Sequence, residues 1–213
     1  MIQAATFVEP VLQYQSRAQI CDCVFRGVFQ LSLGGIAMSI DEFWTIIESA
    51  DERTIVNTLY RLSQQDIIDF ERHLRERIIE CDHYHIVAAL KIIDGYVTDD
   101  PYLYFRCWLI SKGRNAFENA LQNADTISDV LGDGESPDCE GLLYVATRAY
   151  EIKTGKSEND SFPRTICQSE GLDYDFNAPP TKGTDFRDED LPAICPRLWK
   201  RFATGVRGAA NAP

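Results

Sequence analysis

The chain lacks the usual local signatures of chemistry. It has no C-x-x-C pair, no Gly-rich phosphate loop, no H-E-x-x-H, no G-x-S-x-G and no dinucleotide fingerprint. Their absence lowers the expectation of an enzyme without excluding one. Long apolar runs are missing too: the longest, around Ile86–Ile93, is far shorter than the ~20 residues that cross a bilayer. The N-terminus carries no basic segment followed by an apolar one, so no signal peptide is expected. Basic residues are in deficit, 21 against 33 acidic ones, for a net charge of −12. A chain this acidic repels phosphate backbones and anionic lipid, which disfavours nucleic-acid and membrane partners. A basic protein partner fits the charge; plain solubility is the blander explanation.

The remaining composition is globular: 213 residues, 45% hydrophobic and 11% aromatic. A chain of this length buries enough surface to need neither metal nor disulfide staples. Its seven cysteines (21, 23, 81, 107, 139, 167 and 195) are odd in number, and several lie in apolar helical patterns. This is thiol usage of a reducing compartment, so a cytoplasmic location is expected.

Residues 1–38 form an N-terminal extension of uncertain structure; Ile20–Leu33 reads as a helix or a strand pair. Ser39 to Gly155 reads as a mostly α, multi-helix domain. Ser39 and Glu42 make a capping box before an apolar stripe of Phe43, Trp44, Ile46 and Ile47. A second helix is expected over Asp51–Leu62. Ser63 with Asp66 opens a third, in which Ile67, Phe70, Leu74, Ile78 and Cys81 recur at helical spacing. Glu71, Arg72, Arg75, Glu76 and Arg77 read as its solvated charge ladder. Ile86–Ile93 is apolar nearly all round, a central helix ending near Asp94-Gly95. Asp99-Asp100-Pro101 opens the next, which Gly113 stops. Short helical pieces at 117–121 and 127–131 precede one long helix over Cys139–Thr154. Residues 156–213 read as an irregular segment packed on this domain, with one short helix over Asp188–Phe202 and a frayed end.

Two sets of side chains are candidates for function. An aromatic groove of Trp44, Arg106, Trp108 and Trp199 would serve protein binding. A polar set of His73, Asp94, Asp99, Asp100 and Glu140, with Arg106 steadying an anion, would serve acid–base or metal-assisted catalysis. Against the second stand capping by Asp99 and Asp100 and an edge-of-core role for His73. Arg106, among large apolar residues, needs a carboxylate partner, with Asp94, Glu140 or Asp41 as candidates. Cys81-Asp82-His83-Tyr84-His85 is the most metal-like cluster. On a continuous helix only Cys81 and His85 share a face, so no metal site and no cofactor is expected.

A family resemblance runs through these segments. It rests on Asp41-Glu42-Phe43-Trp44, Phe70-Glu71-Arg72-His73-Leu74, Asp94-Gly95-Tyr96, and Tyr104-Phe105-Arg106-Cys107-Trp108-Leu109-Ile110-Ser111. Cys139-Glu140-Gly141-Leu142-Leu143-Tyr144 and the tail segments Asp188-Glu189-Asp190-Leu191-Pro192 and Pro196-Arg197-Leu198-Trp199 complete it. The chain resembles the bacterial Domain of Unknown Function 4240 family from about Ser39 to Phe202. That resemblance implies a small helical bacterial protein, sometimes fused to modules resembling molybdate-metabolism regulators, and it carries no reaction. The expectation is therefore a protein-binding, regulatory or immunity-like module, with a small metal- or acid/base-dependent enzyme as the alternative.

Overall fold

The structure, a computed structural model, describes residues 37–49 and 51–206, all within one unit. The expectations for residues 1–36, including Cys21, Cys23 and the Ile20–Leu33 segment, lie outside the described residues. Among the described residues the chain is helical; its one β-type pairing is an isolated parallel bridge between His83 and Lys182.

Local signals set the first helices. Helix α1 (Ile40–Glu48) starts at Ser39, whose hydroxyl accepts the Glu42 amide while the Glu42 carboxylate takes the Ser39 amide. Asp51 caps α2 (Glu52–Leu59) through the Thr54 amide. The Ser63–Asp66 box closes on α3 (Gln64–Glu80) although Asp is the shorter partner. Helix α4 (Tyr84–Asp94) ends at Gly95, where φ is +83° and a side chain would be strained. Helix α5 (Asp99–Ser111) carries Pro101 in its first turn, and α6 (Arg114–Gln122) follows Gly113.

The later chain departs from expectation. Residues 139–154 are not one helix: a 3-10 segment, Glu140–Tyr144, leads into α8 (Val145–Thr154). A short α7 (Ile127–Val130) precedes it. The segment expected to be coil contains α9 (Pro163–Ser169), which opens on a proline whose missing N–H is harmless there. The single terminal helix is two, α10 (Leu191–Ile194) and α11 (Pro196–Val206), because Pro196 starts a new helix instead of merely breaking one.

Helix α3 is the centre, in contact with α1, α5, α8 and α9. Its stripe of Ile67, Phe70, Leu74 and Ile78 is buried against Phe43, Phe105 and neighbouring side chains. Each such large side chain removed from water stabilises by roughly 1.5–3 kcal/mol. The opposite face is not a solvated ladder. Docking of α9 onto α3 buries Glu71 and Arg75, which pair at 2.6 Å, while Arg72 forks onto Glu170 at 2.9 Å. A helix polar on one side can be buried there only when its charges find each other.

Candidate functional site

The groove expected from the tryptophans does not form a cleft. Trp44 packs at 5.4 Å from the Phe117 ring and Trp108 stacks on Phe105 at 5.6 Å, both about 3% exposed. The Trp108 indole N–H donates to Glu135. Trp199 is part-buried on α11. Arg106, 5% exposed, donates to the Ile78 carbonyl at 3.2 Å and faces Asp82 at 3.8 Å. Its partner is therefore Asp82, and Asp41 pairs instead with Arg114.

No hydrogen bond or ion pair among the described residues joins any two of His73, Asp94, Asp99, Asp100, Arg106 and Glu140. The His73 Nε2 lies 2.9 Å from the Met38 carbonyl, at the edge of the core beside Phe43. Asp94, Asp99 and Asp100 are exposed at helix ends, where local desolvation raises the Asp94 carboxyl. Glu140 is exposed and accepts the Tyr144 hydroxyl. His73 and Glu140 are hydrogen-bonded separately, Asp99 and Asp100 lie in the first turn of α5, and Asp94 ends α4.

A different pair of side chains does converge. Helix α3 stops at Glu80, and His83 stands in an extended conformation (φ −145°, ψ 137°) before α4 begins. This break, unlike a continuous helix, brings His83 and His85 together, with ring centroids 4.0 Å apart. Cys81 is wholly buried, and its thiol is pushed up to about 12 by burial, so it cannot serve as a ready ligand. Tyr102 and Arg106 brace the junction from α5. The Tyr102 hydroxyl donates to Asp82 and accepts the His83 amide at 3.1 Å, while Arg106 lies over the Tyr102 ring.

The distant tail closes over this pair. The Lys182 carbonyl accepts the Tyr84 amide at 2.9 Å, and the Lys182 amide donates to the Asp82 carbonyl. Gly183 then passes so close that a Cβ there would overlap the His83 ring. The result is a cleft of about 320 Å³ lined by His83, His85, Thr184, Asp185, Phe186, Asp190 and Ile194. Burial lowers the pKa of both imidazoles, helped by Lys182 at His83 and by His83 at His85. His83 Nδ1 and His85 Nε2 are buried without a hydrogen-bond partner. Among the described residues no three His, Cys, Asp or Glu side chains are grouped to hold a metal ion. A second cleft, about 580 Å³, holds Glu52 beside Cys139, whose thiol is raised to about 11 by burial and by that carboxylate.

A second feature is a loop displayed by the core. Arg75 donates to the Leu172 carbonyl at 2.9 Å and lies 4.6 Å from the Tyr174 ring centroid. Buried Asp173 accepts the amides of Asp175 and Asn177 and the Asn177 side chain, locking the turn. At its crest Phe176 is 92% exposed. The sequence singles out the 81–85 cluster but, on a continuous helix, pairs Cys81 with His85 and not His83 with His85; it does not single out the Phe176 loop. The signal available was slight: two histidines beside a helix break, and an aromatic between Asp175 and Asn177.

No helix among the described residues is long and apolar enough to cross a membrane. No curated protein and no solved structure matches the chain. Residues 38–152 match the family described as Protein of unknown function (DUF4240), so the match runs from α1 into α8 and stops short of the loop and of the tail strap over the histidines. Since that match spans more than half of the chain, the protein belongs to the DUF4240 family.

Proposed function

We propose that this chain is a protein-binding module, regulatory or immunity-like in action, that docks on a basic partner inside a bacterial cell. One observation carries the reading: Phe176 stands 92% exposed on a turn locked by Asp173 and anchored to the core by Arg75. A turn whose backbone is already fixed has lost freedom that binding would otherwise take from it. Aromatics are enriched at the centres of protein interfaces. The flanking Asp175 and the net charge of −12 favour a partner with an apolar pocket and a basic rim. The five described cysteines are free thiols, which suits a reducing compartment.

The test is photocrosslinking in the native host, with a benzophenone amino acid at position 176 and a control at exposed Ser157. The expected result is a heterologous protein captured at 176 and not at 157, with a basic contact surface. Equal capture at both positions, or none at 176, would sink the reading.

A small acid–base enzyme is the second reading, and the His83–His85 pair favours it. Neutral imidazoles can take and return protons near neutral pH. The expected result is consumption of a compound from a metabolite extract by the intact protein and not by His85→Asn. Identical profiles for the two proteins would remove this reading.

A further inference from the structure

We propose that the His83–His85 cleft binds a small organic cation, an alkylammonium or guanidinium head group. The inference depends on neither reading above, since it requires binding alone.

Charge comes first. The lining contains two carboxylates, Asp185 and Asp190, and no lysine or arginine. The nearby basic residues are engaged. Lys182 donates to the carbonyls of Ile79 and Glu80 at the end of α3, and Lys91 pairs with Asp188 at 2.5 Å. Arg187 faces Glu189 at 3.5 Å and Asp190 at 3.6 Å, leaving Asp185 with no ion pair among the described residues. The two carboxylates repel an anion, whereas a cation would meet charge-assisted acceptors.

The imidazoles sharpen the assignment. His85 Nε2 is buried and has no hydrogen-bond partner. In the neutral tautomer whose proton is on Nδ1, it offers a lone pair to an N–H donor. His83 Nδ1 is likewise buried and partnerless. Burial lowers the pKa of both rings and so favours their neutral forms, which add acceptors without adding positive charge. Phe186 adds an aromatic lining residue, and Ile194 an apolar one for the alkyl portion of the cation. A volume of about 320 Å³ is of the size that takes a small ligand. Two imidazoles and two carboxylates line the cleft, but among the described residues no three such groups are gathered closely enough to hold a metal ion, which favours a larger organic cation.

The chain has three histidines, so the ring ¹⁵N–¹H spectrum of the full-length protein reads the site directly, with His73 as an internal reference. At about pH 8, where imidazoles are neutral, the probes are methylguanidinium, n-butylammonium, an acetyl-Gly-Arg-Gly-amide peptide, inorganic phosphate and zinc sulfate. Saturable shifts of His83 and His85, with His73 still, are expected from the cations. Tighter binding of the free cations assigns a metabolite, and tighter binding of the peptide assigns an arginine side chain of another protein. Asp185→Asn is expected to weaken binding about tenfold, the loss of one charge-assisted contact. The proposal is overturned if no cation shifts the pair, if His73 moves equally, or if only phosphate or only zinc produces a saturable shift. The wild-type titration decides these outcomes even if the variant fails to fold.

Discussion

The Asp125 carboxylate caps helix α11 from 72 residues away: its Oδ1 accepts the Arg197 amide at 2.9 Å and the Leu198 amide at 3.0 Å. Pro196 supplies no N–H at the first position of that helix, and the buried carboxylate takes the next two. A cap normally comes from the residue just before the helix. Here a remote side chain fills that role and fastens the tail to the body.

Asp125→Ala is therefore expected to destabilise more than a surface cap would. Loss of an N-cap costs about 1–2 kcal/mol, and the amides left buried add about 1–3 kcal/mol. Urea unfolding checks it; a change under about 0.5 kcal/mol would mean that α11 finds another cap.

Glu71 and Arg75 form a buried pair in which burial pushes the Glu71 carboxyl up while Arg75 pulls it down, with burial prevailing. Removing one partner strands the other. Glu71→Gln or Arg75→Met alone is expected to cost about 3–5 kcal/mol. The double change Glu71→Gln with Arg75→Met is expected to cost less than the sum, by a double-mutant cycle on denaturant midpoints. Additive losses would show that the two charges are not coupled. Because Arg75 also holds Leu172 and Tyr174, its single variant is expected to loosen the Phe176 loop, seen as faster amide exchange at 172–177.

Two pH windows should be separable. His83 and His85 have folded pKa values below 6.5, so the unfolded chain binds more protons and stability rises with pH there. Their contribution is complete above 6.5 and is lost as pH falls from 6.5 through the lowered values. Lys182 and the companion imidazole oppose protonation, and Asp82 favours it at His83. Glu135 sits lower: hydrogen bonds from Lys112 and Trp108 hold its carboxyl at about 2 against 4.5, so its contribution is present above 4.5 and lost toward 2. Replacing both histidines with Asn should flatten the upper window and leave the lower; an unchanged profile would contradict the assignment.

Gly183 has φ +85° and lies against the His83 ring. Gly183→Ala is expected to cost about 1–2 kcal/mol from backbone conformation alone and to displace the ring, shifting its ¹⁵N resonances. Unmoved resonances would mean that the strap is looser than the geometry indicates.

Phe176→Ser should change unfolding stability by less than about 0.5 kcal/mol, since the ring touches little of the fold. A larger loss, measured by urea unfolding, would give the ring a structural role.

The local signals were readable residue by residue. Ser39–Glu42 and Ser63–Asp66 announced two helix starts, and Gly95 and Gly155 marked two ends, because capping is chemistry within four or five residues. The stripe from Ile67 to Ile78 announced the central helix, because burial of one face imposes the helical period. Where the reading failed, the cause lay far along the chain. Glu71 and Arg75 look like surface charges until α9 arrives, and α9 itself was hidden in a polar stretch too short to show a period.

By itself the sequence determined the helices of the body, the acidity and the family, all set by neighbouring residues or by the sum of residues. Tertiary structure alone decided which polar groups meet. Trp44 and Trp108 went inward with their large apolar areas, and Arg106 lies among them with one hydrogen bond to the Ile78 carbonyl while its Nε has no partner. His83 and His85 became a pair because a helix break turned them together and Lys182 and Gly183 closed over them. Such convergence depends on contacts between residues about a hundred positions apart, and no local pattern encodes it.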